Sequence, residues 1–296
     1  MIPIRPSSNA IACQYADKVI RFIKEHTRGG KQKLKKIETA LNKVKTGLTM
    51  QDLLCMNFEG IKALRAKIDS DTSLCDKASF EKFPYYYKQY FKEQGMNFIK
   101  DIGVYVCPYC NRNYIYNAAT QRTAQIDHFF PKDRYPIFAL SFYNLVPSCA
   151  TCNHIKSDSV LDLFSPYDRT LRYDTFQFDA YPVSYIDFKI ELKATDAKDG
   201  KAADALNNTL ELAKLYEHHS YIATDLYKKA LMYTDAHLNI LLQEFMKMPF
   251  HYSHAEFTRF ILNYYGEDSD FLKIALSKAT KDIAQQFGIL ARIGTK

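Results

Sequence analysis

The chain has 296 residues, of which 47% are hydrophobic and 25% charged, a balance that excludes wholesale disorder and leaves room for one large domain or two smaller ones. No apolar run reaches the ~18 residues of a helical membrane span, and Met1 to Ile20 lacks the apolar stretch of a secretory signal, so the chain reads as cytoplasmic with no membrane partner. The net charge of +7 is uneven: residues 1–100 carry 19 Lys and Arg against 10 Asp and Glu, and residues 101–296 carry 21 against 23. Such a basic third is the footprint of a polyanion contact or, more blandly, a solvated helical face.

In chain order, a helix is predicted around Asp17 to His26, ended by Gly29-Gly30. Leu34, Ile37, Leu41, Val44 and Leu48 then recur at steps of three and four residues, one stripe of a second helix otherwise covered in Lys and Arg. Residues 80–98 hold eight Phe and Tyr side chains, which either stack on unpaired bases or form a buried seam. Short β-like runs follow at Asn113 to Asn117 and Thr123 to His128, and two strands are predicted at Tyr173 to Asp179 and Tyr185 to Leu192. Beyond Asp199-Gly200 helices are expected at Ala203 to Tyr216, Tyr221 to Met248, His254 to Tyr264 and Asp268 to Phe287.

The chemistry concentrates in the middle. Seven cysteines are present, and four form Cys107-Pro-Tyr-Cys110 and Cys149-Ala-Thr-Cys152, 38 residues apart. Two such turns complete a tetrahedral thiolate cage for Zn²⁺, and four thiolates leave no open position, so this zinc is expected to be structural. Cys13, Cys55 and Cys75 lack such spacing and are expected to be buried small hydrophobes. Between and after the turns lie Asp127-His128 and Asn153. A carboxylate and an amide carbonyl suit a hard cation, Mg²⁺ or Mn²⁺, better than zinc. A neighbouring imidazole suits a general base. Lys132 and Arg134 are candidates for flanking phosphates or for plain solvation, as is His154 for a ligand or a surface residue.

Asp127-His128, Asn144 and Cys149-x-x-Cys152-Asn153-x-x-Lys156 resemble the ββα-metal core of HNH (His-Me finger) endonucleases, in the variant braced by a four-cysteine zinc. The resemblance covers about 50 residues, Cys107 to Asp158. It implies that Asp127 binds the catalytic cation, His128 is the base, Asn144 orders the intervening loop, Asn153 is the last metal ligand and Lys156 contacts phosphate. More weakly, Met1 to Arg5, Asp127 to Lys132 and Asn208 to Leu212 are similar to HNH subunits of retron and Septu-type anti-phage systems. That similarity implies an ATPase partner encoded nearby, and any ATP dependence would have to come from it, because no GxxxxGK[ST] occurs in this chain.

The expected fold is therefore α+β and mainly helical, with a basic helical region at 1–100, an HNH core at 101–160, and a hairpin followed by helices at 161–296. The expected activity is metal-dependent phosphodiester hydrolysis, on DNA ahead of RNA. The alternative is a non-catalytic, zinc-dependent nucleic-acid-binding or scaffolding subunit.

Overall fold

The computed structural model describes residues 1–6, 8–74, 77–118, 121–159, 164–248, 253–263 and 267–293. It is mainly helical with two small antiparallel sheets, the expected α+β class. Two compact units form, one from Pro3–Val104 with Ile115–Leu171, the other from Met1–Ile2, Tyr105–Tyr114 and Arg172–Lys296.

The first unit opens with α1 (Ala10–His26), α2 (Gly30–Val44), α3 (Met50–Cys55), α4 (Phe58–Ser70), α5 (Lys77–Phe80) and α6 (Phe83–Ile102). The α1–α2 break falls at the expected glycines: Gly29 adopts φ 72, and a Cβ at Gly30 would collide with the Ile23 carbonyl oxygen. Leu34, Ile37, Leu41 and Val44 are the buried face of α2, while Arg28, Lys31, Lys35, Lys36 and Lys43 are exposed. Leu48 is buried too, but lies beyond the end of that helix. A capping box between Thr49 and Asp52 starts α3, and the Asn57 side chain accepts from Gly60 N–H to start α4.

The aromatic run at 80–98 resolves in favour of a buried seam. Phe80, Phe83, Tyr86, Tyr90, Phe91 and Phe98 are buried, and Tyr85 is exposed. Phe98 packs within 5.1–5.5 Å (ring centroids) of Phe91, Tyr15 and Phe142. The Tyr15 hydroxyl donates to the Leu140 carbonyl at 2.9 Å, which ties α1 to the segment carrying the site.

That segment contributes β1 (Gln125–His128), β2 (Leu145–Ser148) and α7 (Ala150–Lys156). The strands pair antiparallel, with Asp127 opposite Val146 and His128 opposite Leu145. The β-like run expected at Asn113 to Asn117 forms no strand, only a bridge between Val106 and Tyr114.

In the second unit, β3 (Phe176–Pro182) and β4 (Phe188–Ala194) form the expected hairpin, each strand starting three residues later than predicted. Phe176, Phe178, Phe188, Ile190 and Leu192 make its buried face. It is covered by α8 (Gly200–Leu210), α9 (Leu212–Glu217), α10 (Tyr221–Met232) and α13 (Ser277–Gln286), with α11 (Asp235–Met246), α12 (His254–Leu262) and α14 (Ile289–Ile293) completing the unit. Three predicted helices are thus shorter or divided. Glu211 at φ 49 separates α8 from α9, Thr234 ends the α10 run by capping α11, and Leu276 at φ 64 delays α13 until Ser277. No helix is long and apolar enough to cross a membrane among the described residues.

If the aromatics of α6 serve packing, Phe98→Ala will lower unfolding free energy by about 3–5 kcal/mol. Tyr85→Ala will change it by less than about 0.5 kcal/mol. Urea denaturation of the two variants measures both.

Candidate active site

One face of α7 organises the site. Cys149 caps the helix, and Cys149, Cys152, Asn153 and Lys156 follow at i, i+3, i+4 and i+7, the spacing of neighbours on a single helical stripe. Cys149 Sγ accepts from Cys152 N–H at 3.4 Å, and Cys110 Sγ accepts from Arg112 N–H at 3.4 Å. Cys107, Cys110, Cys149 and Cys152 are all buried, and their sulfur atoms lie within 4.8 Å of one another. Zn–S bonds of about 2.3 Å in a tetrahedron need sulfurs roughly 3.8 Å apart, so the thiolates require only a small contraction to hold Zn²⁺. Of the remaining cysteines, Cys13 and Cys55 are half-buried neighbours rather than isolated core residues. Burial and the Cys13 thiol push Cys55 up to about 11. Cys75 lies outside the described residues.

Lys156 departs most from expectation. Its side chain has no exposed surface, so it is not placed to touch a phosphate. The ammonium sits 3.1 Å from Oδ2 and 3.2 Å from Oδ1 of Asp127, and donates to the His128 carbonyl at 3.0 Å. Asp127 is itself only 4% exposed. A carboxylate buried that deeply needs a charged partner, and α7 supplies it. The spacing from Cys152 to Lys156 was the sequence signal that this lysine faces inward.

His128 is held in one tautomer. Its Nε2 lies 3.0 Å from the Ala139 carbonyl oxygen, which can only accept, so Nε2 carries the hydrogen and Nδ1 keeps its lone pair. Burial pushes the imidazole down to about 3, and the charges of Lys132 and Lys156 add to that, against the Ala139 bond. It is therefore neutral at physiological pH. The Tyr87 ring stands edge-on to it at 4.4 Å, and the Tyr87 hydroxyl donates to the Ile126 carbonyl at 3.1 Å. This residue was only one of many aromatics in the sequence. Its contact depends on α6 lying beside β1, which no local pattern encodes.

Asn144 is fully buried and bonds only main chain. Its Oδ1 accepts from Phe130 N–H at 2.7 Å, and its Nδ2 donates to the carbonyls of Phe130 at 3.1 Å and Phe138 at 3.0 Å. The loop after β1 is thereby pinned to the residue that precedes β2.

Asp127, His128, Lys132, Asn153 and His154 line one cleft of about 360 Å³, with Tyr87, Ser157 and Asp158 among its other walls. Ser157, which closes α7, takes φ 47. Lys132 is partly exposed and 3.7 Å from Asp133. Arg134 is not in this cleft; it lies over the Tyr135 ring at 5.3 Å and borders a second cavity beside Asp69. His154 is exposed on the cleft wall. Of the other histidines, His219 approaches Arg112 at 3.4 Å, and His251 is outside the described residues.

Residues 106–159 match the family model described as HNH endonuclease. The matched segment contains β1, β2, α7 and the four cysteines. No curated protein and no solved structure is significantly similar to the chain.

If the cysteine cluster is a structural zinc site, purified protein will carry about one zinc per chain. Cys149→Ser will lose it and drop the thermal midpoint by about 10 °C or more, whereas Cys13→Ser will leave zinc content unchanged. Elemental analysis and calorimetry on both variants decide this.

Proposed function

We propose that the cleft hydrolyses phosphodiester bonds in nucleic acid, with Asp127 and Asn153 holding one divalent cation and His128 activating water. The observation that carries the reading is that these three side chains line a single cleft inside the HNH segment. The donor chemistry fits the cation: a carboxylate and an amide oxygen are hard ligands, and the cleft leaves space for water and phosphate. When bound there, Mg²⁺ or Mn²⁺ supplies charge stabilisation for the scissile phosphate and the leaving oxygen.

The protein's own part is positioning and proton transfer. Nδ1 of His128 takes a proton from the attacking water, while the Nε2–H···O=C bond to Ala139 keeps the ring aimed and steadies the imidazolium that results. An imidazole near 3 is a weak base on its own; a phosphodiester in the cleft opposes the Lys132 and Lys156 charges and makes it stronger. Tyr87 restrains the ring from the α6 side, and Asn144 fixes the loop on which Ala139 sits. Lys132 is the side chain best placed to meet a flanking phosphate, and the exposed lysines of α2 suit a polyanion in the same unit.

Two finer points belong to this reading. DNA is the proposed substrate ahead of RNA. A role in anti-phage defence beside an ATPase rests on the short retron and Septu-like stretches alone; co-purification with an ATPase encoded nearby tests it, and no complex would remove it.

Cleavage of mixed DNA and RNA by the purified chain in Mg²⁺ or Mn²⁺ is the test. His128→Ala should lower the rate by about 10²–10⁴ with zinc content intact. Equal cleavage by that variant would refute the base assignment. Metal-independent binding by the wild type with no cleavage, alone or with the ATPase, would favour the non-catalytic subunit.

A further inference from the structure

We infer that Lys156 is the resident counter-charge of Asp127 and makes cation binding in the cleft conditional on the phosphate of the substrate. The inference rests on the reading of Asp127 as a metal ligand. The ammonium donates to Asp127 Oδ1 at 3.2 Å and to the His128 carbonyl at 3.0 Å, and lies 3.1 Å from Asp127 Oδ2, so the carboxylate and the strand backbone hold it together. With no exposed surface and the Phe129 ring 5.9 Å away, it has nowhere to swing when a cation arrives. It stays, and its charge stays with it.

A carboxylate offers about four acceptor positions, so pairing with Lys156 does not by itself bar a cation. The electrostatic balance is what changes. Asp127 and Lys156 cancel, and Asn153 carries no charge. Of the other acids on the cleft wall, Asp133 is beside Lys132 at 3.7 Å and Asp158 is exposed to water. A divalent ion entering alone therefore meets little net attraction from its proposed ligands and direct repulsion from a buried ammonium. A phosphodiester brings the missing negative charge. Cation and substrate bind as a pair, and the free protein holds the cation weakly.

The test is Mn²⁺ binding by electron paramagnetic resonance on the full chain, in a His128→Ala background so that nucleic acid is not cut. Mn²⁺ is titrated alone, with a short DNA duplex and with an RNA strand. Affinity for Mn²⁺ should rise at least ~10-fold with whichever nucleic acid the protein retains. Without nucleic acid, adding Lys156→Met should tighten Mn²⁺ binding at least ~10-fold, and Lys156→Arg should leave it near the parent value. Should Lys156→Met fail to fold, judged by circular dichroism and zinc content, the parent titrations still decide. Unchanged Mn²⁺ affinity with either nucleic acid overturns the inference, as does a folded Lys156→Met that binds no tighter. Adding Asp127→Asn separates the two levels. If Mn²⁺ still binds the nucleic-acid complex of that variant, the ligand assignment itself is wrong; if binding is lost while either test above fails, only the role of Lys156 is wrong.

Discussion

A carboxylate with 4% exposure cannot remain ionised without a cation against it, and this constraint shapes the site. Lys156 answers it from α7, and in reaching Asp127 it also takes the carbonyl of His128. The pair therefore fixes the helix against the strand end that carries both Asp127 and His128. Removing one partner of such a pair typically costs about 3–5 kcal/mol, because the other is left charged and buried. The same helical stripe bears Cys152 and Asn153, so the register that seats Lys156 also points a thiolate into the cysteine cluster and an amide toward the cleft.

Around that clamp, the structure controls a neutral imidazole. Ala139 sets its tautomer, Tyr87 its tilt, and burial its low proton affinity. Asn144 makes no contact with the cleft and spends its whole side chain on the backbone of the loop that supplies Ala139. Its contribution to the proposed chemistry is positional. The two proposed metals also divide cleanly: four soft sulfurs enclose one centre, while hard oxygens at an open cleft suit the other.

Much of this was legible in sequence because the information is local. The paired CxxC turns, Asp127-His128 and Asn153 lie within stretches short enough for spacing to encode direction, and the α2 stripe and β3–β4 alternation follow from periodicity. What was missed depends on tertiary context. The resemblance assigns Lys156 to a phosphate, whereas its i+4 relation to Cys152 places it inward. Tyr87 was hidden among aromatics whose common purpose is the packing of α6. The breaks at Glu211, Thr234 and Leu276 carry no Gly or Pro; two of them use a left-handed conformation that ordinary side chains seldom adopt, so nothing local announced them.

The most direct measurement of the central claim is anomalous diffraction from a crystal of His128→Ala grown with nucleic acid and Mn²⁺, recorded at the zinc and manganese edges. The account predicts a zinc peak enclosed by Cys107, Cys110, Cys149 and Cys152, and a separate manganese peak in the cleft against Asp127, Asn153 and a phosphate oxygen. A complex with nucleic acid in the cleft and no metal against Asp127 would contradict it.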